Sequence, residues 1–324
     1  MTTTIPTSLR SHTFQGLDPG PRLIVLGAVH GNETCGTRAT LRVLAELDAG
    51  LLRIVRGSVT FVPVSNPLAY ANAQRGGDRN LNRRLRPNPA PRDFEDRIAN
   101  ALCPLLAAHD ALLDLHSFHT AGEPFAMLGP RDNAGPLEAF ARAAEEEALA
   151  LRLGPRRLVE GWLDAYAGGV ASRLQRVPAS GVALDADPAY GIGTTEYMRS
   201  VGGIAITLEC GQHADPQAPQ IGYAAIVNTL AHLGLVDAPA PAARPDVQLL
   251  RLQDVTDRDA EGDAFERAWS SFDPVAAGEP IARRADGTLL RAPADGFIVF
   301  PNPQAAPGSE WFYFARPSER VLRA

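Results

Sequence analysis

Residues 22–33 read RLIVLGAVHGNE, and this stretch decides the fold. Its first part, RLIVLGAV at 22–29, is an unbroken β-favouring run, the pattern of a strand covered on both faces. The polar HGNE of 30–33 breaks the run. From Cys35 to residue 47 the chain changes period, with Leu41, Leu44 and Leu47 at helical spacing. Strand, tight loop and helix follow one another within 26 residues of chain.

The same alternation continues outward. Strands are expected at 58–63 (SVTFVP), at 111–115 (ALLDL, ending in His116) and at 203–208 (GIAITL, ending in Glu209). Between them the spacing predicts helices over 93–108, with Ile98, Leu102, Leu105 and Leu106 on one side, over 137–153 and over 220–233. The EEE run at 145–147 reads as a solvated face of the second of these. Strands alternating with helices imply an α/β fold, a mainly parallel or mixed sheet flanked by helices. The stretch 64–91, rich in Asn, Arg, Gly and Pro, is longer than an ordinary connection, and ordered loops of that length tend to carry function.

The tract DAPAPAARPD at 237–246 is a composition break. It divides a catalytic domain, 1–240, from a C-terminal β domain, 247–324. Beyond it come short strand signals at 247–252, 281–282, 289–290, 297–300 and 311–314, with turns at Gly287 and at Asp295 and Gly296. No internal repeat is present.

Composition excludes several classes. With 324 residues, 45 % hydrophobic and 21 % charged, the chain is neither disordered nor fibrous. A net charge of −6 supplies no basic field for nucleic acid. The densest basic stretch, 75–86, is interleaved with Asn and Asp rather than aromatic residues, which suits a pocket for small anions. No window reaches the 18 or so apolar residues of a membrane span, and the N-terminus lacks a signal-peptide core. Three widely spaced cysteines match no C-x-x-C pattern, so a cytoplasmic protein is expected, with a homo-oligomer as the one macromolecular assembly left open.

The chemistry falls at strand ends, where open α/β sheets bind their ligands. His30 and Glu33 place an imidazole and a carboxylate about one turn apart, and His116 in DLHS can join them. A His, Glu, His set with an open position is a catalytic rather than a structural zinc arrangement. Either motif alone recurs by chance; their shared placement with Glu209 gives them weight. His109 and His119 compete as ligands, the former from the opposite end of its strand. Asp114, two residues before His116, could reach a ligand histidine's second nitrogen. The segment RGGDRNLNR at 75–83 offers guanidiniums suited to a carboxylate, or else is an Asn/Asp-rich turn capped by surface Arg. Nucleotide-binding glycine motifs are absent.

Taken together, GAVHGNE (27–33), NPLAYANAQRGGDRNLNRRL (66–85), DLHS (114–117) and TLECG (207–211) resemble the succinylglutamate desuccinylase/aspartoacylase family, zinc hydrolases related to metallocarboxypeptidases. The motifs occur in the family's order, and the tail is similar to its small β domain. The resemblance implies a zinc-carboxypeptidase-like mixed sheet and one zinc ion held by His30, Glu33 and His116. It implies Glu209 as general base and then proton donor, and Arg75 as the group that polarises the scissile carbonyl. Asn82 and Arg83 match the pair that holds a substrate carboxylate, and Arg199 stands near a second carboxylate-binding arginine. Tyr313 is the candidate for a tyrosine supplied by the C-terminal domain, and Asn80 stands where the family usually has Asp. The implied reaction is hydrolysis of an amide bond in a small anionic N-acyl amino acid. A metallocarboxypeptidase acting on peptides and a non-catalytic small-acid-binding protein are the alternatives.

Overall fold

The computed structural model describes residues 5–175 and 187–323. Strands β1 (His12–Gln15), β2 (Asp18–Gly27), β3 (Arg56–Val62), β4 (Ala111–Phe118), β5 (Phe125–Met127), β6 (Arg157–Glu160) and β7 (Ile204–Gln212) alternate with helices. The helices are α1 (Cys35–Asp48), α2 (Pro67–Ala71), α3 (Phe94–Ala107), α4 (Ala143–Ala150), α5 (Trp162–Gln175), α6 (Thr194–Ser200) and α7 (Ala218–His232). The remaining strands are β8 (Gln248–Asp257), β9 (Ala264–Phe265), β10 (Pro274–Val275), β11 (Pro280–Arg283), β12 (Leu289–Arg291), β13 (Gly296–Val299) and β14 (Glu310–Pro317).

An 11-stranded sheet runs in the order β1-β3-β2-β4-β7-β5-β6-β8-β14-β13-β10. Its centre, β3, β2, β4 and β7, is parallel, which brings the carboxyl ends of β2, β4 and β7 together. The unbroken apolar run of β2 is explained by its two faces. Leu23 and Val25 point into a core shared with Val43 of α1 and Ile226 of α7, whereas Ile24 and Leu26 point into one shared with Ile98 and Leu102 of α3. Asp93 caps α3, its side chain accepting from the Asp96 amide at 2.7 Å.

Three expectations change. β4 and β7 run on past residues 115 and 208, so His116 and Glu209 lie within strands rather than beyond them. The helix expected over 137–153 is only Ala143–Ala150, and Phe140 instead pairs in a β-bridge with Asn133. Its glutamates are not a solvated face. Glu145 is exposed beside Arg142, but Glu146 and Glu147 are buried on Arg199 and Arg320. Both arginines come from far along the chain, so no local pattern announced them.

Five C-terminal strands, β8, β11, β12, β13 and β14, fall in the expected regions and β9 and β10 do not, and most of the seven extend the main sheet. β8 pairs in parallel with β6, and β14, β13 and β10 follow in order, leaving only β12, β11 and β9 as a separate sheet. Among the described residues no helix is long and apolar enough to cross a membrane. Cys35, Cys103 and Cys210 are free and buried.

Candidate active site

His30 and Glu33 sit on the turn between β2 and α1. Ala28, with φ 46°, takes the left-handed conformation there, a local strain of the kind that collects at functional sites. Gly31 allows the turn to press on α2: a Cβ at this position would fall 2.0 Å from the Ala69 carbonyl carbon. His116 projects from β4 and Glu209 from β7, at paired positions of neighbouring parallel strands. His30, Glu33 and His116 are all buried, with one donor atom from each within 4.8 Å of the others.

The hydrogen-bond pattern establishes what this cluster is built to hold. Asn80 Oδ1 accepts from the Asn82 amide at 2.8 Å and lies 3.0 Å from His30 Nε2, so Nε2 carries the proton of a neutral ring. Burial, aided by Arg75, holds the His30 pKa down at about 4. Its Nδ1 lone pair therefore faces Glu33 Oε1 at 2.8 Å, acceptor against acceptor. His116 differs in charge: Nδ1 is 2.8 Å from Glu33 Oε2 and Nε2 lies 2.9 Å from Asp114 Oδ2 without hydrogen-bond geometry, and these two carboxylates hold its imidazole well above the usual range against the effect of burial. That same Asp114 oxygen accepts from Thr194 Oγ1 at 2.5 Å. Two imidazole nitrogens converging on one carboxylate, the His30 ring held from behind by Asn80 and the His116 ring beside Asp114, form a cradle for a cation. The donor set fits one metal ion, two imidazoles and a carboxylate being a zinc set.

Glu209 stands beside this cradle. Its Oε2 is buried without a hydrogen-bond partner, and burial pushes its carboxyl up to about 8. A buried orphan oxygen in a native fold calls for a ligand or a role. Arg75, half exposed, donates from Nη1 to Glu33 Oε1 at 3.0 Å. A cavity of about 740 Å³ opens over these groups, walled on one side by Trp162, Tyr166 and Tyr190 and on another by the C-terminal residues Phe300, Glu310 and Tyr313.

The other expected residues fall in different places. Arg83 lines the cavity, 7 % exposed, with Nη2 gripped by both oxygens of Glu310 at 2.9 and 3.0 Å and its guanidinium over Trp162. Asn82 also lines it, but its Oδ1 accepts from the Thr194 amide at 2.9 Å and so anchors the start of α6. Arg199 borders the cavity with its guanidinium spent inside the protein: Nε donates to Glu146, Nη1 to Glu138 and Nη2 to the Ala205 carbonyl. This placement departs from the expected substrate clamp. His109 is no ligand, since its nitrogens are taken by the Leu105 carbonyl and Thr60 at the far end of the strand. His119 lines the cavity with its ring against His213, whose Nδ1 lies 2.8 Å from Ser117 Oγ. Ser117, whose amide donates to Glu33, Thr194, His213 and Glu310 were missed by sequence reasoning. Only His213, just after β7, carried a local signal.

Cation cradle, adjacent buried carboxylate and open cavity, set at the carboxyl ends of parallel strands, are the parts of a metal-dependent hydrolase. Residues 19–232 match the family of the succinylglutamate desuccinylase/aspartoacylase catalytic domain, and the chain belongs to it. With its metal triad, membership makes the protein a zinc-dependent hydrolase of the amide bond in a small acylated compound, a carbon–nitrogen bond outside peptides. No curated protein matches the sequence. Among solved structures, a succinylglutamate desuccinylase/aspartoacylase from Rhodobacter sphaeroides is similar at 19 % identity, covering 96 % of this chain and 90 % of its own, with a TM-score of 0.70. The product-bound ectoine utilization protein EutE of Ruegeria pomeroyi is similar at 21 % identity over 94 % of this chain and 88 % of its own, TM-score 0.69. An aspartoacylase family protein from Mesorhizobium loti shares 22 % identity over 97 % and 90 %, TM-score 0.66.

Proposed function

We propose that this protein hydrolyses N-acyl amino acids or closely related compounds that carry a carboxylate, using a single zinc ion held by His30, Glu33 and His116. The bound ion would supply Lewis acidity, acidifying a water and polarising the acyl carbonyl. Glu209 accepts the proton of the attacking water and returns it to the departing amine. Arg75, paired with Glu33 at 3.0 Å in this structure, would face the negative charge that develops on the carbonyl oxygen once Glu33 held a cation instead. Arg83, oriented by Glu310, offers its remaining N–H groups to the substrate carboxylate, and Asn82 holds the neighbouring backbone.

The observation that carries this reading is the buried, partnerless oxygen of Glu209, paired in register with a ligand histidine. A protein that only binds small acids has no use for a base there. The wall formed by residues 300–310 closes one side of the cavity and supports small substrates over peptides. We keep the division at 1–240 and 247–324 as part of this proposal, residues of the second part lining the pocket while its strands continue the main sheet. The three free thiols support a cytoplasmic setting. Metal analysis together with hydrolysis assays on a panel of N-acyl amino acids and short peptides tests the proposal. Zinc near one equivalent and turnover of N-acyl amino acids are expected; turnover of peptides alone, or of nothing, overturns it.

A further inference from the structure

One wall of the cavity is built almost without side chains. The turn between β13 and β14 reads PQAAPGS at 303–309, and its residues 304–309 all line the cavity. Alanine, proline and glycine have nothing to extend across a pocket. What this wall offers a substrate is mostly backbone, and the position of that backbone sets the room left. Strand pairing does not reach it: the β13–β14 ladder stops at Val299 opposite Tyr313, and β14 pairs with β8 only from Glu310, opposite Asp257.

Arg258, the residue after β8, holds the turn instead. Its amide donates to the Ser309 carbonyl at 3.0 Å, its carbonyl accepts from the Gly308 amide at 2.6 Å, and its Nη1 donates to the Ala305 carbonyl at 2.8 Å. Among the described residues, every hydrogen bond that ties 303–309 to the chain outside this hairpin is made by Arg258. The arginine is held in turn from its other side, where Nη2 donates to the carbonyls of Glu261 and Asp263 at 2.7 and 3.2 Å. Buried Asp263 closes that second turn, accepting from the Asp259, Ala260 and Ala285 amides and from Arg284 Nη1 at 2.6 Å. Asp263 leads into β9 and Arg284 follows β11, so the small three-stranded sheet stands behind the wall with Arg258 as the link.

The turn ends one residue before Glu310, whose carboxylate grips Arg83, so it borders the end of the cavity assigned above to the substrate carboxylate. We propose that Arg258 is a positioning residue that sets the size limit of the substrate on this side. By pinning 303–309 it closes the cavity to chains that continue beyond the carboxylate, as a peptide does. The inference rests on the hydrolase reading above and narrows its substrates to acylated single amino acids.

The test takes an N-acetyl amino acid that the zinc-loaded protein hydrolyses and extends it at the carboxylate by glycine or by phenylalanine, with acetate release as the readout. Both extensions move the carboxylate alike, so their ratio reads size. For the wild type, kcat/KM should be at least about tenfold lower for the phenylalanine compound than for the glycine one. Inhibition constants against the unextended substrate give the same comparison where an extension is not turned over. Arg258→Met keeps the apolar stem and removes every side-chain donor. It should narrow the ratio several-fold, mainly through KM, and leave kcat/KM for the unextended compound within about threefold. Arg258→Lys, with one ammonium for two sides, should fall between them, and it carries the test if the methionine variant does not fold. Equal acceptance of both extensions by the wild type, an unchanged ratio in a folded variant, or an equal loss on all three compounds overturns the inference and leaves the hydrolase reading intact. Failure to hydrolyse any N-acetyl amino acid, in a protein holding stoichiometric zinc, overturns both.

Discussion

Both carboxylate oxygens of Glu310 lie on a single nitrogen of Arg83, Nη2, at 2.9 and 3.0 Å, across 227 residues of chain. The contact ties the first residue of β14 to the long loop after α2, and Nη1 of the same guanidinium donates to the Asn82 carbonyl at 2.8 Å, so the group lines the cavity in a fixed orientation. Burial alone would disfavour the charge on Glu310, but Arg83, then Arg75 and Tyr313, hold its carboxyl below the usual range. The C-terminal region is therefore part of how Arg83 is aimed.

Glu310→Ala should leave Arg83 buried, charged and misdirected. KM for carboxylated substrates is expected to rise on the order of tenfold or more, with kcat less affected, because a charged hydrogen bond is worth about 1.5–3 kcal/mol. Arg83→Ala should give the same pattern, and the double variant little more, since the two act as a unit. Steady-state kinetics on a carboxylated substrate and its neutral amide check this; equal penalties on both would remove the carboxylate role.

Glu209→Gln preserves size and removes the basic oxygen. Turnover should fall on the order of 10²–10⁴-fold while zinc content stays unchanged. Metal analysis of the same samples used for kinetics makes the comparison. Near-normal turnover would reject Glu209 as the base.

Asn80 orients His30 from behind and should matter without touching the ion. Asn80→Ala is expected to weaken zinc retention roughly 10–100-fold, as loss of such a supporting contact commonly does. Asn80→Asp, which keeps the acceptor, should restore it. Competition with a chelator reads the difference directly, and unaltered retention in Asn80→Ala would show that the His30 ring needs no such support.

Glu138 sets a pH dependence on stability. Its native carboxyl is raised from an ordinary 4.5 to about 7, chiefly by burial. The native state thus binds the proton more tightly than the unfolded chain, and the contribution is fully present below about pH 4.5 and lost as pH rises toward 7. Wild-type stability relative to Glu138→Gln should fall across that window. Urea midpoints for both proteins at pH 5 and pH 7.5 test it, and parallel curves would contradict it.

The local chain determined a great deal by itself. The double-faced apolar run at 22–29 required a central strand, because a strand covered on both sides has no polar face to alternate. His30, Glu33, His116 and Glu209 were legible because parallel strands bring their ends together whatever the loops do. Second partners were not legible. Whether Arg83 would face solvent, substrate or Glu310, and whether Glu146 would be solvated or seated on Arg199, depends on contacts made across 227 and 53 residues. A charged side chain carries no periodicity that names its counter-ion. Its fate is decided only when folding removes water and leaves the nearest opposite charge to satisfy it.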